Sequence, residues 1–145
     1  MICFLDSSAI VKQYADEEHS EVVRALEGPH LVSALARVEV ASALWRKHRM
    51  GELSLESTSL LNEAFDSDWF DPEATWCWYQ SVEPVEAVID TAIRFVGLYG
   101  LRAYDAVQLA SAVAARNDVP ECTTFVCFDH ALQRAAVALG FSLLA

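Results

Sequence analysis

The sequence predicts an α/β protein built in three layers, with helices on both sides of a central parallel sheet of four to five strands. Three observations carry this prediction. Short apolar runs of strand length alternate with longer stretches of helical periodicity along the whole chain. A strand, a helix and a further strand in succession need a crossover connection, which pairs the strands in parallel and lays helices on the sheet. The chain has 145 residues, 54% of them hydrophobic, which suits one domain over residues 1–145 with its own core.

The elements follow in order. Residues 2–5 (ICFL) read as a buried strand that ends at Asp6. Ser7 and Ser8 then offer caps to a helix through SAIVKQYA. A second short helix is expected from about Glu17 to Gly28-Pro29, and HLVS reads as strand two. A long helix is expected over residues 34–50, ending at Gly51, with Arg46, Lys47, His48 and Arg49 in its last turn, where cations suit the helix dipole. The next helix covers residues 55–68, with Leu60, Leu61 and Phe65 on one stripe. WCWYQSV reads as strand three, and Pro84 fits the first turn of a helix reaching Tyr99. Gly97 and Gly100 separate that helix from the next, LRAYDAVQLASAVAAR. TTFVCF is strand four, HALQRAAVAL the last helix, and FSLL a short final strand.

Composition removes several classes of function. The formal net charge is −11, which argues against binding nucleic acid by bulk electrostatics. It leaves open an enzyme that brings a metal ion to a phosphate, because the ion then sets the local field. The four cysteines, Cys3, Cys77, Cys122 and Cys127, form no CxxC pair and are expected to be free thiols. The amino end lacks a basic leader, and no apolar run is long enough to span a membrane, so a cytoplasmic protein is expected. There is no GxxxxGK[ST] loop, GxGxxG turn, GxSxG elbow or zinc ligand spacing.

What remains is a set of carboxylates. Asp6 and Asp129 each follow an apolar strand and open a helix. In an open parallel sheet, ligands bind beyond the carboxyl ends of strands, where the strand order reverses. If strands one and four are neighbours, these two aspartates face each other there; helix capping alone is the competing explanation for each. Asp105 has Leu109 at i+4 and Ala112 at i+7, which puts it on an apolar helix face. Glu39 lies in the third helix beside a stripe of Leu35, Val38, Ala41, Ser42 and Trp45, away from the face of Lys47. A carboxylate on an apolar stripe is costly unless paired, protonated or bound to metal. Hard cations such as Mg²⁺ and Mn²⁺ take oxygen ligands and relieve the repulsion among clustered acids.

At LDSSAIVK, a glutamate within the helix after strand two, LRAYDAVQLASA, and FVCFDHALQRAA, the chain resembles the PIN domain, and in particular the VapC-type toxins of bacterial toxin–antitoxin pairs. LRAYDAVQLASA is the most specific piece. The resemblance implies a three-layer parallel fold and a Mg²⁺- or Mn²⁺-dependent endoribonuclease. It also implies a homodimer and a cognate VapB-like antitoxin. Asp6, Glu39, Asp105 and Asp129 match the catalytic acids, with Asp6, Asp105 and Asp129 as metal ligands. Ser8 either caps the first helix or supports Asp6. Cys127 stands where the family often has Thr or Ser. Arg37 and Arg102 lie near Glu39 and Asp105 in sequence, which makes them candidates for phosphate contact, with an ordinary surface arginine the favoured reading of each. The segment 69–79 is unusually aromatic; Trp69, Phe70, Trp76, Trp78 and Tyr79 serve the core, a partner or stacked bases. Two other readings stay open: a phosphatase with Asp6 as nucleophile, weakened by Ser8 two residues on, and a regulatory metal-binding module without activity.

Overall fold

The computed structural model describes residues 1–70 and 78–144. Strand β1 (Ile2–Leu5) leads into α1 (Ser7–Tyr14) and the short α2 (Ser20–Arg24). Strand β2 (His30–Ser33) leads into α3 (Ala36–Arg49) and α4 (Leu55–Phe70), and β3 (Tyr79–Val82) into α5 (Glu86–Tyr99) and α6 (Ala103–Asp118). Strand β4 (Cys122–Val126), α7 (His130–Ala138) and β5 (Ser142–Leu143) complete the chain. The strands form one parallel sheet in the order β3-β2-β1-β4-β5.

Alternation along the strands divides the interior into two cores. Cys3, Leu5, Val32 and Val126 point to one side, where Ala9, Ile10 and Val11 of α1, Val23 of α2, Val40 and Leu44 of α3, and Phe65 of α4 cover them. Phe4, Leu31 and Phe125 point to the other side, against Val88, Ala92 and Phe95 of α5, Leu109 and Ala112 of α6, and Leu132 of α7. This is the three-layer α/β/α arrangement that the strand and helix alternation predicts. Phe4 and Phe125 stack with centroids 5.7 Å apart, tying the two middle strands together on one face.

The order of the strands fixes where a site can form. From β1 the chain steps outward to β2 and β3, then returns to β4 on the other flank of β1. The reversal point lies between β1 and β4, whose register pairs Leu5 with Val126. The Asp6 amide donates to the Val126 carbonyl at 3.1 Å, so pairing ends just where the two chains splay apart.

Several local expectations change. The second helix shrinks to five residues because residues 17–19 form a turn instead. The Ser20 hydroxyl donates to the Ala15 carbonyl and accepts from the Glu17 amide, and His19 takes a left-handed backbone at φ 69°. Gly97 stays inside α5; Gly100, at φ 65°, alone ends that helix, its amide donating to the Val96 carbonyl. Strand β4 stops at Val126, and residues 127–129 turn to cap α7. Of the aromatic segment, Trp69 and Tyr79 pack with Phe65 in the core, Phe70 and Trp78 are exposed, and Trp76 lies outside the described residues, as does Cys77. Cys3, Cys122 and Cys127 are buried free thiols. Among the described residues no helix is long and apolar enough to cross a membrane.

Candidate active site

Asp6 stands at the carboxyl end of β1 and is the N-cap of α1. Its Oδ1 accepts from the Ala9 amide at 2.9 Å and from the Ser8 hydroxyl at 2.7 Å. Asp6 itself is therefore the cap that Ser7 and Ser8 were expected to supply, and Ser8 is a support for Asp6. Asp129 repeats the design at α7, with Oδ1 accepting from the Leu132 amide at 2.9 Å. Capping and clustering coexist here: each aspartate commits one oxygen to its helix and leaves Oδ2 for other partners.

Asp105 enters from the first turn of α6. Its Oδ2 accepts from Arg102 Nε at 3.1 Å, and Arg102 Nη2 lies 3.8 Å from Asp129 Oδ2. One guanidinium thus spans two of the carboxylates. Glu39 reaches the same region from α3 and is half-buried. Gln108, one turn beyond Asp105 and buried, donates to Glu39 Oε1 at 2.7 Å and to Ser7 Oγ at 2.9 Å. That amide links α6, α3 and α1 behind the acids. The sequence reading missed Gln108 and Ser7; the available signal was a polar Gln on the inward face of an Ala-rich helix, three residues after Asp105.

The face of α3 was misassigned. Ala36, Val40 and Leu44 are the buried residues, whereas Val38 is 68% exposed and Ser42 is exposed. Glu39 shares its face with Ala43 and Lys47, and all three line one groove of about 520 Å³ between α1 and α3. Arg46, Tyr104 and Ser8 also border that groove. Arg37 does not join the acids. It lies over the Phe70 ring at 4.4 Å and 3.9 Å from Asp66, against α4.

Electrostatics couple three of the acids, Asp6, Glu39 and Asp105. Burial pushes the Asp6 carboxyl up to about 7; the Ser8 and Ala9 hydrogen bonds oppose this, and the charges of Asp105 and Glu39 add to it. Burial also raises Glu39, against the Gln108 and Ser7 hydrogen bonds and with the field of Asp105. Beneath them, burial holds the Cys127 thiol protonated, reinforced by Asp6, Asp129 and Asp105. Among the described residues no group of three or more His, Cys, Asp or Glu stands assembled to hold an ion as the side chains lie. The donors are nonetheless all oxygen, and among the described residues no cation lies within ion-pair reach of the buried Asp6, which is the environment a hard divalent ion relieves.

No curated protein matches the chain. A family model, that of the PIN domain, matches residues 3–138, from β1 to the end of α7 and across all four acids. Sheet order, carboxylates at the reversal point and this match agree, and the chain belongs to the PIN domain family.

Proposed function

We propose that this chain is a Mg²⁺- or Mn²⁺-dependent endoribonuclease, acting as the toxin of a VapBC-like type II toxin–antitoxin pair. PIN domains are typically metal-dependent nucleases, which supports the general class. The single observation that carries the reading to these residues is the gathering of Asp6, Glu39, Asp105 and Asp129 at the reversal point of the sheet, linked by Arg102 and by mutual charge. The RNA substrate, the VapB-like antitoxin and a homodimer follow from the likeness to VapC-type toxins.

In this reading Asp6, Asp105 and Asp129 hold the metal, and Glu39 holds it or orients the attacking water. A bound Mg²⁺ or Mn²⁺ supplies a lowered pKa for water and a counter-charge for the phosphate. Ser8 holds Oδ1 of Asp6 through its 2.7 Å hydrogen bond, which leaves Oδ2 for the metal. Gln108 holds Glu39 in place and excludes water from behind it. Arg102 neutralises a phosphate oxygen of the substrate. Cys127 has no hydroxyl to offer and stays a neutral packing group under the acids.

The test is incubation of purified, partner-free protein with structured RNA and Mg²⁺ or Mn²⁺, beside an EDTA control and the Asp6→Asn and Asp105→Ala variants. The expected outcome is metal-dependent cleavage by the wild type, with both variants slower by roughly 100-fold or more, the scale of losing one charge-stabilising group. Equal cleavage by all samples, or none by the wild type, overturns the assignment.

A further inference from the structure

Arg102 occupies an unusual place for a surface arginine. It is the N-cap residue of α6, its side chain makes no capping hydrogen bond, and that side chain is 79% exposed. Yet the guanidinium reaches two carboxylates from different elements, Asp105 at 3.1 Å and Asp129 at 3.8 Å. Among the described residues it is the one cation within ion-pair distance of any of the four acids. It also borders the small cleft lined by Glu39, Ala103, Tyr104 and Asp105.

This contact explains why the acids are gathered without forming a cage. Asp129 Oδ2, the oxygen not committed to capping α7, and Asp105 Oδ2 both lie within ion-pair distance of Arg102. We propose that Arg102 is a built-in counter-ion of this cluster: it neutralises Asp105 and Asp129 in the metal-free protein and is displaced when a divalent cation binds. The inference rests on the metal-site reading above and extends it to how the site is loaded. Physical chemistry favours the exchange. A single positive charge on an exposed side chain contributes little to stability, so its release costs little. A divalent ion brings twice the charge to the same oxygens. Arg102 and the ion therefore compete, and the arginine lowers metal affinity while partly screening the repulsion between Asp105 and Asp129 in the empty site.

Calorimetric titration of Mn²⁺ into the wild type, Arg102→Gln, Arg102→Lys and Arg37→Gln, without RNA, tests this. The exposure of Arg102 means the variants should fold, which thermal unfolding without metal verifies. Arg102→Gln is expected to bind Mn²⁺ roughly 3- to 10-fold more tightly, the range given by one or two exposed ion pairs plus lost cation–cation repulsion. Arg102→Lys, with its charge retained, is expected within about 2-fold of wild type. Arg37→Gln, remote from the acids, is expected to be unchanged. Equal or weaker binding by Arg102→Gln overturns the counter-ion while leaving the metal site standing. An absence of binding in the wild type as well as the variants overturns both the counter-ion and the metal reading.

Discussion

Asp6 carries the sharpest conflict between folding and chemistry. It is 5% exposed, and burial pushes its carboxyl up to about 7 with help from Asp105 and Glu39. The sign follows directly. The folded pKa lies above the ordinary value, so between roughly pH 4 and 7 the folded protein holds a proton that the unfolded chain has released. Stability of the metal-free protein therefore falls as pH rises through that window and levels off above it. Asp6→Asn keeps an Oδ1 to accept from Ser8 and Ala9 but carries no charge. Without metal, this variant is expected to be more stable than wild type at pH 8 by ~1–4 kcal/mol, with the gap closing toward pH 4. Urea unfolding across pH measures it, and a gap independent of pH would contradict the burial argument.

Gln108 shows the same logic between elements. Its amide joins Glu39 of α3 to Ser7 of α1 across 69 and 101 residues of chain. Because it is buried, losing it removes a hydrogen bond from each of two partners and opens a small void, so Gln108→Ala is expected to cost ~1–3 kcal/mol. Cleavage is expected to slow roughly 10- to 100-fold, as when a group that orients a metal-site side chain is removed. Gln108→Glu should slow it further by adding another carboxylate. Urea midpoints and initial rates separate the two effects; a variant that loses stability but keeps its rate would make Gln108 a packing residue alone. Such ties are also where reading the sequence failed. The strands, their parallel pairing, the strand-end position of Asp6 and the helix-opening positions of Asp6 and Asp129 were legible because each rests on a local apolar run followed by a capped helix. The inner face of α3 was not. That helix has two apolar stripes, since Phe65 and Asn62 of α4 join Val38, Ala41 and Trp45 around a shared cleft on its outer side. Periodicity shows an apolar face but cannot say which neighbour covers it. The approach of Arg102 to Asp129 and of Gln108 to Glu39 depends on tertiary placement, and no spacing in the chain encodes it.

At the scale of the whole molecule, a net charge of −11 must be reconciled with the proposed RNA substrate. Surface charge of that sign repels a polyanion, so affinity has to come from few contacts close to the cleft. The cations there are Arg102 beside the acids and Arg46 and Lys47 on the groove. Lys47 is already engaged by Glu17 at 2.8 Å and by Glu52 at 3.4 Å, which leaves Arg46 and, once metal has displaced it from Asp105 and Asp129, Arg102 to meet phosphates. Counter-ion release then sets the salt dependence. With a slope near −0.7 for each phosphate contacted on a single strand, two contacts give a slope of log(kcat/KM) against log[KCl] of about −1.4. At saturating Mn²⁺ the slope is expected between about −1 and −2, and Arg102→Gln should make it shallower by about 0.7. A nuclease that grips RNA through a broad basic face would give a slope several times steeper. A measured slope beyond about −4 would therefore require a cationic surface supplied from outside this chain, because the described residues offer too few free cations near the site to produce it.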